Sequence, residues 1–297
     1  MMVGAECTAC DRSSLRTNPN RRRTLGPGNW VAADELPNRD TRPTWKIYKM
    51  APASDEQTVL PIPKQFLFPA AFPCYRQSPL RLTGGGVVPD ERWRLADLSL
   101  LESPESRNRF VEWYAAWNHA TGNDGGLMFT IRVTGRRTTP WCRPNRLTES
   151  DRVEILIDTR NVRDAHRATR YCHRFVFMPC GTGSQMNDPF AAWLPIHRAK
   201  DHPNPFPEGR LRVAATIMAN ISGTVENAAN RENGGFVLNM MIPQSAMTGF
   251  DPVEYPAIGF AAIVFDREHG VIPFGPGTPL PLAEDPSLWA TLDLVES

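Results

Sequence analysis

From residue 111 onward the apolar and polar positions fall into short runs bounded by Gly, Pro, Asp or Asn, and not into helical periods. Gly126-Leu-Met-Phe-Thr-Ile-Arg-Val-Thr134 and Ser150-Asp-Arg-Val-Glu-Ile-Leu-Ile-Asp158 alternate. Gly234-Gly-Phe-Val-Leu-Asn-Met-Met-Ile-Pro243 and Ile258-Gly-Phe-Ala-Ala-Ile-Val-Phe-Asp266 are almost wholly apolar, and Asp285-Pro-Ser-Leu-Trp-Ala-Thr-Leu-Asp-Leu294 closes the series. Runs of this length and punctuation are strand signals. They predict strands at about 111–118, 126–135, 151–159, 173–179, 210–219, 235–243, 257–266 and 287–295. The fold class that follows is all-β, a two-sheet antiparallel β-sandwich with long loops.

The alternation also assigns faces, because successive side chains of a strand point to opposite sides. Leu127, Phe129, Ile131 and Val133 are expected in the core, with Met128, Thr130 and Arg132 turned away. Val153, Ile155 and Ile157 likewise face inward, leaving Glu154, Leu156 and Asp158 on the outer face. Phe175 and Phe177 point in and Arg174 out. The loops at 136–150, 160–172, 180–209 and 267–286 are long, and loops beyond ~12–15 residues are uncommon without a use. Residues 243–250 have room for a single helical turn, and 160–170 for a turn or two.

Residues 1–60 carry scattered Pro and Asn, Arg21-Arg-Arg23 and no apolar period. Such a segment buries too little to offset its ordering entropy, so a disordered N-terminal extension is expected, followed by one domain over 61–297. A basic arm, or a start site at Met50, is the alternative for this segment. In the first 50 residues nine Lys/Arg stand against five Asp/Glu, but the 297-residue chain has a net charge of only +1. That balance points to neither nucleic acid nor an anionic membrane as partner. No stretch approaches the ~20 apolar residues of a membrane helix, and no secretory signal pattern opens the chain. The cytoplasm is the expected location. Six cysteines in this length are too sparse for a disulfide framework.

Taken in order, these segments resemble carbohydrate-binding module family 9 and its DOMON-like relatives. The match begins at Asp90-Glu-Arg-Trp93 and continues through Trp117, Leu127–Val133, Trp141, Asp151–Asp158, Gly234–Ile242 and Ile258–Asp266, covering roughly residues 85–295. The resemblance implies a non-catalytic module that recognises a mono- or oligosaccharide. It makes Trp141 one wall of an aromatic clamp, with Glu154 and Arg174 bonding sugar hydroxyls; Arg143 and Asp158 stand beside them as further ligand-binding candidates. An aromatic plane for the C–H face of a sugar and charged groups for its hydroxyls are what such recognition needs. In the family a second clamp tryptophan precedes the last strand; here Ala283 and Glu284 occupy that place, and only Trp193 or Phe274 offers a substitute. The rival interpretation is a cytoplasmic interaction scaffold that keeps the sandwich without sugar binding.

Other chemistry is weakly supported. Cys142, Cys172, His166 and His173 carry metal-donor atoms, yet their spacing is not that of a zinc site, and no metal or cofactor is expected. The methionines Met128, Met178, Met218, Met240 and Met241 lack a haem-binding Met–His arrangement and suit the core. Arg160, Arg163, Arg167, Arg170 and Arg174 form a row that is either a solvated face or a holder for a carboxylate or phosphate. No nucleophile elbow, phosphate loop or paired catalytic carboxylates are present, so no catalytic residues are assigned.

Overall fold

The structure is a computed structural model that describes residues 70–80, 82, 88–96, 110–120, 125–203, 210–218, 234–274 and 281–296. The expected extension at 1–60 lies outside the described residues. The strands are β1 (Ala71–Arg76), β2 (Val111–Asn118), β3 (Gly126–Val133), β4 (Arg152–Asp158), β5 (Cys172–Thr182), β6 (Asp188–Leu194), β7 (Arg212–Met218), β8 (Gly235–Pro243), β9 (Ala257–Asp266), β10 (Gly270–Pro273) and β11 (Ala290–Val295). All eight predicted strands form. The other three have poor signatures: β1 is interrupted by Pro73, β6 starts Asp-Pro without alternating, and β10 has four residues. A single 3-10 turn occupies Gln244–Ala246, and a longer one, Pro144–Glu149, lies inside the predicted 136–150 loop. Residues 160–170 hold no helix. Asp158 instead fixes a tight turn there, accepting the backbone N–H of Arg160 at 3.0 Å and of Val162 at 2.7 Å.

Two separate antiparallel sheets are not what the chain builds. Among the described residues the strands join one mixed sheet in the order β6-β5-β4-β9-β11-β1-β2-β3-β8-β7, with β10 added beside β9. The link is β1, which pairs in parallel with both β11 and β2. Its ladder to β2 covers only Tyr75 and Arg76, beyond Pro73, which has no N–H to give. Every other pairing is antiparallel. The sheet folds over so that its two end strands, β6 and β7, lie against each other and nearly close it.

The core fills this fold from both halves. Val153, Ile155 and Ile157 of β4, Phe175 and Phe177 of β5, and Phe260 and Val264 of β9 meet Leu127, Phe129, Ile131 and Val133 of β3 and Phe236, Leu238 and Met240 of β8. The rings of Phe129 and Phe260 stack across the interior with centroids 5.3 Å apart. At ~25 cal/mol per Å² of apolar surface removed from water, this interior is the dominant stabilising element.

The outer faces are not bare. On the β4–β9 face, Leu156, Cys172, Ala261, Ile263 and the fully buried Trp289 form a second apolar layer beneath the loops. Trp289 satisfies its indole N–H by donating to the Leu282 carbonyl at 2.7 Å. On the β3–β8 face Met128 packs with Leu80, Ala116 and Met241, and Thr130 bonds Asn239 at 2.7 Å. The predicted parity of β3 and β4 therefore holds, but "outward" here mostly means into a smaller buried layer.

Candidate functional site

Trp141 lies midway along the connection from β3 to β4, and its position is set by one carboxylate. Asp151 Oδ2 accepts the Trp141 backbone N–H at 2.7 Å, while the Asp151 N–H donates back to the Trp141 carbonyl at 2.9 Å. The loop behind it is closed by Ser150, whose hydroxyl accepts from the Arg143 N–H at 2.9 Å and faces the carbonyls of Arg143 and Arg146. Cys142 is packed beneath, donating to the Asp151 carbonyl at 3.3 Å. Gly181 (φ +119°) allows that packing, since a Cβ there would stand 3.1 Å from the Cys142 Cβ.

Asp151 also belongs to a buried ionic cluster. Arg136, 1% exposed, donates to Asp151 Oδ2 at 3.0 Å and to Asp266 Oδ2. The free oxygens are used as well: Asp151 Oδ1 accepts the Arg267 N–H at 2.6 Å, and Asp266 Oδ1 accepts the N–H groups of Glu268 and His269 at 2.8 Å each. Burial alone would lower the Arg136 pKa, but the charges and hydrogen bonds of Asp151 and Asp266 outweigh it and hold the pKa above the usual value. The cluster ties the 134–151 loop to the turn after β9.

Between those two segments lies an open cleft of about 550 Å³, lined by Trp141 together with Arg137, Thr138, Thr139, Arg267 and Glu268. The Trp141 ring is half-buried. Three guanidinium carbons approach its centroid, Arg267 at 4.8 Å, Arg143 at 5.4 Å and Arg146 at 5.5 Å. Glu268 is exposed, yet its carboxylate is anchored by the N–H groups of Arg137 (2.9 Å) and Thr138 (3.2 Å) and by the Thr138 hydroxyl. Its slight burial acts to raise its pKa, but these donors prevail and hold the carboxyl below the usual range. The cleft thus offers one aromatic ring, two threonine hydroxyls and charges of both signs.

The remaining predicted residues stand elsewhere. Glu154 and Arg174 do meet, with Arg174 Nη2 and Nε donating to Glu154 Oε2 at 2.7 and 3.0 Å. However, Glu154 is 1% exposed and its other oxygen accepts from Arg152 Nε at 2.8 Å. Arg152 in turn lies over the Phe265 ring at 3.6 Å and donates to the Leu147 carbonyl at 2.9 Å. The expectation that Glu154 presents a free charge is corrected: both of its oxygens are taken, because the outer face of β4 is covered. Asp158, 2% exposed, spends its oxygens on the turn after β4; burial raises its pKa, and the N–H groups of Arg160 and Val162 oppose this. Among the described residues no hydrogen bond or ion pair joins Trp141 or Arg143 to Glu154 or Arg174.

Neither substitute for a second clamp aromatic faces Trp141. Phe274 is in the core, with Phe72 and Phe260 each 5.3 Å from it between centroids. Trp193 packs partly on the same core, opposite Phe175.

The metal-donor residues are likewise dispersed. Cys142 packs with Met178 and Cys180, Cys172 lies in the second layer, His173 is buried and His166 exposed. Among the described residues no three His, Cys, Asp or Glu side chains are grouped to hold a metal ion. One serine, histidine and aspartate do cluster: His166 Nδ1 lies 3.0 Å from Ser287 Oγ and 3.2 Å from Asp285 Oδ2. Both contact the same ring nitrogen, whereas a nucleophile relay needs them on opposite nitrogens. Asp285 caps the 3-10 turn Pro286–Leu288 through the Ser287 N–H, which is a structural task.

Sequence reasoning missed Arg136 and the pairing of Asp151 with Asp266. Asp151 and Asp266 show as strand-end acids, but nothing in the sequence joins an arginine to a partner 130 positions away.

No protein-family model matches the chain, and no curated protein matches its sequence. Among solved structures it is similar to a carbohydrate-binding module family 9 (CBM9) from Caldicellulosiruptor kristjanssonii in complex with cellotriose, at 13% identity over 76% of this chain and 94% of that one, with a TM-score of 0.45. It is also similar to a CBM9 of the same organism in complex with glucose, at 14% identity over 76% and 96% of the two chains, with a TM-score of 0.47.

Proposed function

We propose that this chain is a non-catalytic, carbohydrate-binding-like module that recognises a sugar or glycan end at Trp141. The observation that supports it is the half-buried Trp141 ring walling an open cleft rimmed by Thr138, Thr139 and Glu268. In this proposal Trp141 is the platform for the sugar's C–H face, and Arg143, whose Nη1 donates to the Cys142 carbonyl at 2.7 Å, is a charged neighbour beside the ring. Glu154, Arg174 and Asp158 work from behind, fixing β4, β5 and the following turn.

Affinity is expected to be low. A sugar must displace a guanidinium from the ring, at a cost of about 0.5–1 kcal/mol for an exposed cation–π contact, and it finds one aromatic wall instead of two. Binding near the millimolar scale, ~4 kcal/mol, is the consequence. Tryptophan fluorescence titrated with mono- and disaccharides tests this. A saturable emission change present in the wild type and lost in Trp141→Phe, with binding still detectable by calorimetry in that variant, is the expected result. A signal unaffected by Trp141→Phe would remove Trp141 from the site.

A second reading, an interaction scaffold without sugar binding, is favoured by a separate observation. The Trp141 ring is already met by Arg143, Arg146 and Arg267, and Phe274 belongs to the core. Absence of any saccharide response together with a full fold would select it.

A further inference from the structure

The five arginines that the sequence sets in a row are put to different uses. Arg163 donates to the Trp289 carbonyl, Arg167 to the Arg198 carbonyl at 3.2 Å, and Arg174 to Glu154. Arg160 and Arg170 instead converge on an open cleft of about 900 Å³ beside the turn between β4 and β5, lined also by Tyr171, Tyr255, Asp201 and His202. The volume is that of a small-molecule site. The cleft shares no lining residue with the one at Trp141.

Its construction is specific. The Arg160 guanidinium carbon lies 3.6 Å from the centroid of the Tyr255 ring and 4.9 Å from that of Tyr171, so the two rings hold it in place. Arg170 approaches Tyr171 at 5.3 Å and points an Nη2 toward the Tyr171 hydroxyl at 3.5 Å. Gly249 (φ +74°) keeps the back wall thin: a Cβ there would stand 2.9 Å from the Tyr171 ring and 3.2 Å from Arg160 Nη2.

Asp201 is the one acidic residue lining the cleft, and it pairs directly with neither guanidinium. Arg160 Nη1 is buried and has no hydrogen-bond partner. Among the described residues neither Arg160 nor Arg170 has a carboxylate at ion-pair distance. Asp158, two residues before Arg160, gives its oxygens to backbone N–H groups. No other Arg160 side-chain N–H has a protein acceptor among the described residues either, so the guanidinium keeps donors to offer an anion that enters the cleft. Two guanidinium groups, one of them fixed between aromatic rings, form a preorganised fork for a carboxylate or phosphate.

We propose that this cleft is a second ligand site, taking an oxyanion, phosphate or carboxylate, carried on a small polar molecule. Arg160 and Arg170 pair with the anion, and the tyrosines wall its carrier. The site is independent of saccharide binding at Trp141.

Isothermal titration of the full chain at low ionic strength with inorganic phosphate and with glucuronate, and with glucose as the neutral control, tests the proposal. At least one anion should bind with a Kd of about 0.1–1 mM, more weakly as salt is added. Phosphate alone or glucuronate alone would identify the anion while supporting the site. Arg170→Gln, at an exposed position, should keep the melting temperature and weaken binding about tenfold. Arg160→Gln should weaken it further, and Trp141→Ala should leave it unchanged. Lack of binding by both anions up to about 10 mM, far above that Kd range, would overturn the assignment. So would equal affinity for glucose, or a folded Arg170→Gln variant that binds as the wild type does.

Discussion

The guanidinium of Arg136 meets the carboxylate of Asp151 at 3.0 Å with both side chains 1% exposed, and the same carboxylate carries the backbone of Trp141. One buried acid therefore serves both the fold and the candidate platform. Removing it should not act locally.

Asp151→Asn leaves Arg136 buried with a weakened partner and loosens the Trp141 N–H. Breaking a buried ion pair by removing one partner typically costs about 3–5 kcal/mol, and Asp266, the remaining carboxylate, should keep the loss toward the lower figure. Urea unfolding measures it. Stability within about 1 kcal/mol of wild type, the range of an exposed pair, would show that the cluster is not closed to water.

His173 gives a pH dependence of defined sign. It is 1% exposed, and burial lowers its pKa from 6.5 to about 4, opposed only in part by a backbone hydrogen bond with Thr248. As pH falls below 6.5 the unfolded chain takes up a proton that the folded chain refuses until about 4. Stability is thus full above the unfolded value and is lost between these two pH values, at most about 1.4 kcal/mol per pH unit and about 3 kcal/mol in all. In His173→Leu that part of the slope should vanish, as measured by denaturant midpoints from pH 7 to 4. Parallel pH profiles for the two proteins would mean that His173 is protonated within the fold.

The Glu154 clamp predicts an asymmetry between its partners. Glu154→Gln strands the buried Arg152 and should cost several kcal/mol, about 3 or more. Arg174→Gln removes a partner that is 21% exposed and should cost about 1 kcal/mol. Thermal melts of the two variants should rank in that order, and the reverse ranking would place the structural charge on Arg174.

The strands were legible because alternation is a local property. Val153, Ile155 and Ile157 announce the core by spacing alone, and so do Leu127, Phe129, Ile131 and Val133. What was not legible is what covers the other faces. Leu156 and Cys172, on neighbouring strands, share a layer with Trp289 from a distant segment, and that layer turns Glu154 and Asp158 from surface acids into buried, fully bonded ones. The join through β1 was hidden for a different reason: Pro73 breaks the strand signal, and a parallel partner across 220 residues leaves no trace in local pattern. The candidate platform was legible as a tryptophan ahead of β4. Its real neighbours, Arg267 and Glu268, come from the turn after β9 and could be found only in three dimensions.

Binding of labelled full-length chain to a glycan array, run beside Trp141→Ala with the melting temperature of each protein, tests the central proposal most directly. The expected result is weak binding to a defined set of saccharides by the wild type and its loss in Trp141→Ala, with only a small drop in melting temperature, because the half-buried ring stands outside the main core cluster. A Trp141→Ala protein that melts many degrees lower, as a loss of about 3–5 kcal/mol for a core tryptophan requires, together with no saccharide bound by the wild type, would contradict it and make Trp141 a packing residue.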